Sequence, residues 1–397
     1  MSYLSDNAYL AVKPESVGGT AVIPTNFIPL VSENIRTVVN HSADRRMKGL
    51  DWKANDLLRG NRNHEGEIVA LADPDSLGHF LNMFLLKGST TGNATDGYTH
   101  PFTVGASDFY SIEIKKGLYC ARYFGVKIDE LRLEFADGQA QIKASIKAMG
   151  QFSVARLGVA LTGAGMTSIV LDDEYDLNPT RGLVIGDVIT IGSNDVTLTG
   201  VSADGITVTF GALSLTYSVG EPIYLKPQTV TLPTLQDPLY FGNMLVGVGA
   251  DIATAVSNAG AIATATPIYD LAIVLKNNLF AGNGTGRFDP VQILTRTKEG
   301  AITMKQLLEN ENQTEKFLNR GKQAICIIAK GKFIKSDFTT QEKLTLKFNN
   351  VKLMDNENAL EVGEYIVDSQ TFEVLYDNSD AQAMDASLIN RTAGTAY

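Results

Sequence analysis

The chain is short of the residues on which most reactive architectures depend. It carries 2 cysteines, 1 tryptophan and 4 histidines in 397 residues. Cys120 and Cys326 sit in separate apolar runs, GLYCARYF and QAICIIAKG. They supply neither a disulfide framework nor a CxxC metal pair, and buried inert thiols are the expectation. Among His41, His64, His79 and His100, no two share i,i+4 spacing or an HExxH setting, which excludes the common helical zinc motif. His79 falls inside a helical pattern and reads as a packing or surface histidine. No glycine-rich loop ends in Gly-Lys-Ser/Thr, and GxSxG is absent. GNGTGRFD at Gly282 is not followed by helical text, so it reads as a turn. The acidic runs LDDEYD at Leu171 and DNEN at Asp355 lack EF-hand spacing and read as solvated turns. No enzyme, cofactor or metal is expected.

Positive charge is scarce as well. Lys and Arg number 34 against 44 Asp and Glu, a formal net charge of −10. A nucleic-acid clamp needs a basic stripe. An acidic balance suits a wall that DNA slides past, since phosphates adhere to Lys and Arg, and it equally serves simple solubility. No apolar run reaches the about 18 residues that cross a bilayer. MSYLSDNAYLAVKPESVGG lacks a basic start followed by an apolar stretch, so no secretory signal is expected and the chain reads as one folded in a cytoplasm.

What the chain has in quantity is alternation of apolar and polar residues, the mark of half-buried strands. Residues 1–26 are rich in Gly, Pro, Ser and Thr and read as an arm. FIPLVSENIRTVV, from Phe27 to Val39, reads as a strand broken at Pro29. Residues 40–66 read as a long loop or extended hairpin carrying Arg45, Arg46, Lys48, Lys53, Arg59, Arg62 and the lone Trp52. EIVALAD from Glu67 is a short strand. Asp73 or Asp75 can then cap a helix through SLGHFLNMFLLKG, with Pro74 in its first turn and Gly88 past its end. Leu77, Phe80, Leu81, Phe84 and Leu85 share one face of it. YTHPFTVG, FYSIEIKKG and FGVKIDELRLEF are strands. Asp137-Gly138 turns the last of them into QAQIKASIKAMGQF. From Leu157 to Gln228 the text becomes short β-runs with Gly-rich turns and little charge, which points to a small separate β-domain over 158–228. Residues 229–267 are linker-like, an ordered arm or a packed connector.

The second half repeats the plan of the first. VKIDELRLEFADGQAQIKASIKAMGQF at Val126 matches LKFNNVKLMDNENALEVGEYIVDSQTF at Leu346 without a gap, at a shift of 220 positions (126 to 346). SIEIKKG at Ser111 parallels ICIIAKG at Ile325. EGEIVALAD at Glu65 parallels EGAITMKQL at Glu299, and FIPLVSENI at Phe27 parallels LAIVLKNNL at Leu271. The expected organisation is a first module over 1–157 with an N-terminal arm, a β-rich insertion over 158–228, and a linker with a second module over 229–397. The fold class is mainly β.

Gly18-Gly19-Thr20, Phe27 to Asn34, Glu65 to Gly88 and the hairpin from Val126 to Phe152 together resemble the tail tube proteins of long-tailed bacteriophages. The resemblance implies β-sandwich modules, each with a flanking helix. It implies self-association into rings stacked as a tube, the conduit for DNA ejection, in a siphovirus-like virion assembled in the bacterial cytoplasm. With two fused modules, a trimer of pseudo-sixfold symmetry is favoured over a hexamer. Tape measure, tail terminator and baseplate proteins are implied partners. Phage DNA passes without sequence-specific binding, and no membrane insertion is implied. Arg45, Arg46, Trp52 and Arg59 become inter-ring contact candidates. Glu130, Glu134, Gln139, Gln141, Asn350, Glu361 and Glu364 become lumen or subunit-interface candidates. The insertion would decorate the outside. A capsid or baseplate β-sandwich and a carbohydrate-binding adhesin are the alternatives. The adhesin is poorly served by an insertion without tryptophan.

Overall fold

The architecture comes from a computed structural model, which describes residues 8–43, 57–58, 60–136, 138–173, 178–230, 236–285, 287–307, 315, 317–335, 337, 339–359, 367–394 and 397. In the first half, the strands are β1 (Tyr9–Pro14), β2 (Asn26–Ile28), β3 (Ser32–Glu33), β4 (Arg36–Val39) and β5 (Arg62–Leu71). Helix α1 (Pro74–Phe84) follows, then β6 (Gly97–Thr103), β7 (Tyr110–Lys116), β8 (Tyr119–Phe135), β9 (Gln141–Ala148) and β10 (Gly150–Phe152). The middle holds β11 (Val154–Arg156), β12 (Leu161–Val170), β13 (Val188–Ile191), β14 (Asn194–Val201), β15 (Thr207–Tyr217) and β16 (Pro222–Leu225). The second half holds β17 (Met244–Gly249), α2 (Ile252–Ala259), β18 (Asp270–Lys276), β19 (Glu299–Leu307), β20 (Gln323–Phe333), β21 (Gln341–Ala359), β22 (Val367–Val374) and β23 (Met384–Asn390).

Helix α1 begins where local chemistry says it should. The Asp73 carboxylate accepts from the backbone N–H groups of Asp75 and Ser76, and Pro74 occupies the first turn, where a missing N–H costs nothing. Leu77, Phe80, Leu81 and Phe84 are buried against the sheet. The helix stops at Phe84 because Leu86 and Lys87 are drawn into pairing with β6. Its last carbonyl, Phe84 O, is met from the other half by Lys298 Nζ, which also donates to Gly105 O, and by Asn277 Nδ2, which also donates to Ile128 O. Burial, with Lys127 nearby, pushes the Lys298 ammonium down to about 8.

The sheet order runs β4–β5–β9–β8–β7–β1 in the first half, with β3 also on β5. In the second half it runs β18–β19–β22–β21–β20–β17. Every one of these contacts is antiparallel. Strand β8 bends between two sheets, and its end, Glu130 to Phe135, pairs with β18. That junction fuses the two halves into one run, β4–β5–β9–β8–β18–β19–β22–β21. A bulge interrupts β7–β8 between Tyr110 and Ile112, and another interrupts β20–β21 between Gln323 and Ile325. Further bulges follow Ile128 in β8 and Leu353 in β21. Val126 therefore corresponds to Val351 and Ile128 to Leu353, a shift of 225 (126 to 351) rather than 220. The shorter shift matched apolar to apolar because each bulge adds a residue and restarts the alternation out of phase.

Three stretches depart from the sequence reading. Residues 9–14 are not arm but core strand: Leu10, Ala11 and Val12 are fully buried. The short run YLAV is hidden in the text by its Pro- and Gly-rich flank. Residues 62–66, read as loop, are the start of β5. Residues 244–259, read as linker, supply β17, paired to β20, and α2, whose Ala255 and Ala259 pack on Ala324 and Cys326.

The middle strands form their own sheet, β11–β16–β13–β14–β15–β12, over a separate apolar cluster. Cys120 and Phe152 of the first half reach into that cluster. The contact is cemented by a buried ionic knot. Arg122, 1% exposed, donates to Asp187 at 2.6 Å and to Glu113 at 2.8 Å. Tyr9 Oη donates to Glu113 at 2.7 Å and accepts from the Gln228 backbone N–H.

Candidate assembly interface

Along the fused run, side chains alternate. One face is the apolar core under α1, and the other is polar. Burial in β9 reads as a strict alternation from Gln141 to Ala148, and β18 does the same from Asp270 to Lys276. The polar face therefore carries Glu65 and Glu67 from β5, Lys143, Ser145 and Lys147 from β9, and Glu130, Arg132 and Glu134 from β8. Across the junction it continues with Asp270 and Lys276, then Glu299 and Lys305, and ends with Lys352, Asp355 and Glu357 on β21.

The charges of this face are wired across strands. Glu134 pairs with Arg132 at 2.6 Å and with Lys143 at 2.7 Å. Lys276 meets Glu130 at 3.4 Å over the junction, where the two are directly opposed. Lys305 meets Asp270 at 3.5 Å in the same way. Asp129, turned outward by the β8 bulge, meets Lys147 at 2.8 Å. Among the described residues of this face, Arg36 and Lys352 are the cations outside such pairs. Both lie on terminal strands of the run, β4 and β21. Beyond β4, and beyond β21 from Lys352 onward, no described strand pairs, so both ends present open hydrogen-bonding edges.

The sequence-derived candidates divide unevenly. Glu130, Glu134 and Gln141 stand on the polar face. Gln139 lies in the β8–β9 turn, bridged to Tyr240. Asn350 sits at the bend of β21, its amide donating to the Tyr376 carbonyl. Arg45, Arg46, Trp52, Arg59, Glu361 and Glu364 lie outside the described residues. Sequence reasoning missed Arg132, Lys143, Lys276, Lys305 and Asp270. Alternation does place them outward, but what pairs them comes from strands distant in the chain.

A second polar cluster lies at the far end of β5. Asp289 accepts from Arg62 Nη2 at 3.0 Å and from His64 Nε2 at 3.0 Å, with Arg62 Nε 2.6 Å and Arg181 3.8 Å away. Burial works against the Asp289 charge, but His64, Arg62 and Arg181 outweigh it and hold the carboxyl below the usual range. The cluster ties the first half, the middle sheet and the second half together. Among the described residues, no three His, Cys, Asp or Glu side chains gather as a metal-holding group. None of the described helices is long and apolar enough to cross a membrane.

What the arrangement offers is a surface for edge pairing. A family model described as phage tail tube protein matches residues 5–204. No curated protein matches the chain.

Proposed function

The chain belongs to the phage tail tube protein family, and from that premise we propose that three chains close edge to edge into a ring of six modules whose polar faces line a conduit for DNA. Membership of the family makes the protein a structural component of a phage tail. Within the reading, its two halves are a duplicated module. The rings stack into a siphovirus-like tube through which DNA is ejected into the host. The middle sheet stands on the outside, with tape measure, terminator and baseplate proteins at the ends. Residues 44–60, with Arg45, Arg46, Trp52 and Arg59, bridge successive rings.

One observation carries the reading: the β8–β18 junction. Two modules of the same strand order already meet there, edge to edge. Among the described residues, the two edges that would repeat that joint, β4 of one module and the end of β21 of the other, have no strand partner. Open edges attract foreign strands, and closure removes the hazard. A head-to-tail joint whose rotation closes makes a ring. At the junction Arg132 faces Val274. By the bulge alignment Arg132 corresponds to Glu357. Val274 faces Ala301 in β19, and its counterpart in β4 is Arg36, which faces Glu65. The repeated joint therefore sets Glu357 against Arg36 of the next chain, opposite charges on opposed residues.

Reversing either charge, Arg36→Glu or Glu357→Arg, is expected to suppress tubes in electron micrographs, and the two together to restore them. Normal tubes from both single variants would overturn the joint. Native mass spectrometry of disassembled rings should give three chains, and six would overturn the count.

A further inference from the structure

We propose that the polar face of the eight-strand run is kept non-adhesive toward DNA by cross-strand ion pairs that occupy its lysines and arginines, and not by net acidity alone. The inference rests on the reading that this face lines the conduit, and it adds how the face avoids its cargo.

The observation behind it is that the face is far from free of cations. Arg132, Lys143, Lys147, Lys276 and Lys305 all project from it, and each lies within 2.6 to 3.5 Å of a carboxylate. The carboxylates come from only four residues, Asp129, Glu130, Glu134 and Asp270, and Glu134 holds two cations at once. Four of the five pairs join neighbouring strands, so sheet register holds them together. Only Arg132–Glu134 lies along a single strand.

Adhesion to DNA is driven by phosphates taking up Lys and Arg and releasing counterions. A phosphate approaching Lys276 meets the Glu130 carboxylate 3.4 Å away. Attraction and repulsion then act over nearly the same distance and largely cancel. The separation within each pair is well below the Debye length of about 8 Å at physiological salt, so from the conduit axis the Lys147, Lys276 and Lys305 pairs read as neutral, and the Arg132–Glu134–Lys143 group shows one positive charge instead of two. Side-chain exposures of 45% for Lys276 and 49% for Lys305 show that these cations would otherwise be available. Arg36 fits the same rule: it lies on the open-edge strand β4, and the proposed ring joint brings Glu357 of the next chain to it.

The test measures binding of a short double-stranded DNA fragment to the unassembled full-length chain at several salt concentrations. Glu130→Gln, Glu134→Gln and Asp270→Asn together remove three carboxylates and release Arg132, Lys143, Lys276 and Lys305. Glu67→Gln, Glu299→Gln and Glu373→Gln change net charge equally but release no paired cation. The first variant is expected to bind at least about tenfold more tightly than the second, with a salt dependence steeper by about 0.9 per released cation. Equal binding by the two variants, or no gain by the first, overturns the proposal. Glu130→Lys with Lys276→Glu keeps a pair in reversed order and is expected to leave binding at the parent level. A gain as large as that of the first variant would count against the proposal. Electron microscopy of the parent separates the two readings. Absence of tubes defeats the ring, while the binding comparison still reports on the pairs.

Discussion

His79 shows how a single side chain sets an acid limit. Its ring is buried on α1, edge-on to Tyr397 at 4.7 Å and to Tyr110 at 6.1 Å. Its Nδ1 has no hydrogen-bond partner. Burial, helped by the Lys87 ammonium, pushes the imidazole down to about 3. The folded chain therefore refuses a proton that the unfolded chain accepts near the ordinary value of 6.5. Stability is untouched above that value and falls as pH drops from it toward about 3. His79→Phe is expected to flatten that decline. Chemical denaturation of parent and variant between about pH 7.5 and about pH 5 checks it, because carboxylates stay largely ionised there. An unchanged slope would show that His79 is not the group responsible. Asp289 works in the same direction at lower pH. Its depressed pKa contributes stability above the ordinary aspartate value, and that share is lost as pH falls through the folded one.

At the scale of elements, what could be read from the text was what local chemistry decides. Helix α1 announced itself through Asp73, Pro74 and its apolar spacing, all within a few residues of one another. Asp73→Ala removes the acceptor for two backbone N–H groups and is expected to cost about 1 kcal/mol, measurable as a shifted denaturation midpoint with unchanged slope. The strands alternate clearly, so Glu130, Glu134 and Gln141 could be placed outward. What stayed hidden depends on partners far along the chain. HEG in β5 looks like loop until Asp289, 225 residues away, meets His64. Arg122 reads as an interruption of an apolar run until Glu113 and Asp187 enclose it. The bulges carry no residue signature of their own, which is why the two hairpins align on paper five positions from where their pairing sets them. The β8–β18 junction left no local trace, because either strand could have been an edge.

For the whole molecule, the expectation that follows from the proposed ring is a division of labour. Sheet edges close the ring, and residues 44–60, inserted between β4 and β5, join one ring to the next. Deleting 44–60 is expected to leave rings of the parent chain count in native mass spectrometry while abolishing long tubes in electron micrographs. Tubes of ordinary length would refute the inter-ring role. The middle sheet is not a loosely tethered ornament on this body. The enclosed Arg122–Asp187–Glu113 knot anchors it, and removing one partner from such a group leaves a buried charge without compensation.

The β8–β18 junction also changes how assembly responds to supply. A joint within one chain forms with the fold and does not weaken on dilution, whereas a joint between chains must repay lost translational and rotational freedom each time. In a ring of three chains, every second joint is of the first kind. Only two encounters depend on concentration, the third inter-chain joint closing within one complex, and each encounter brings in a pair of modules already in register. Partly built rings then expose fewer unpaired edges at any moment than rings built from single modules. Under the proposed ring, tube growth is expected to begin at lower subunit concentration and to be less prone to off-register pairing.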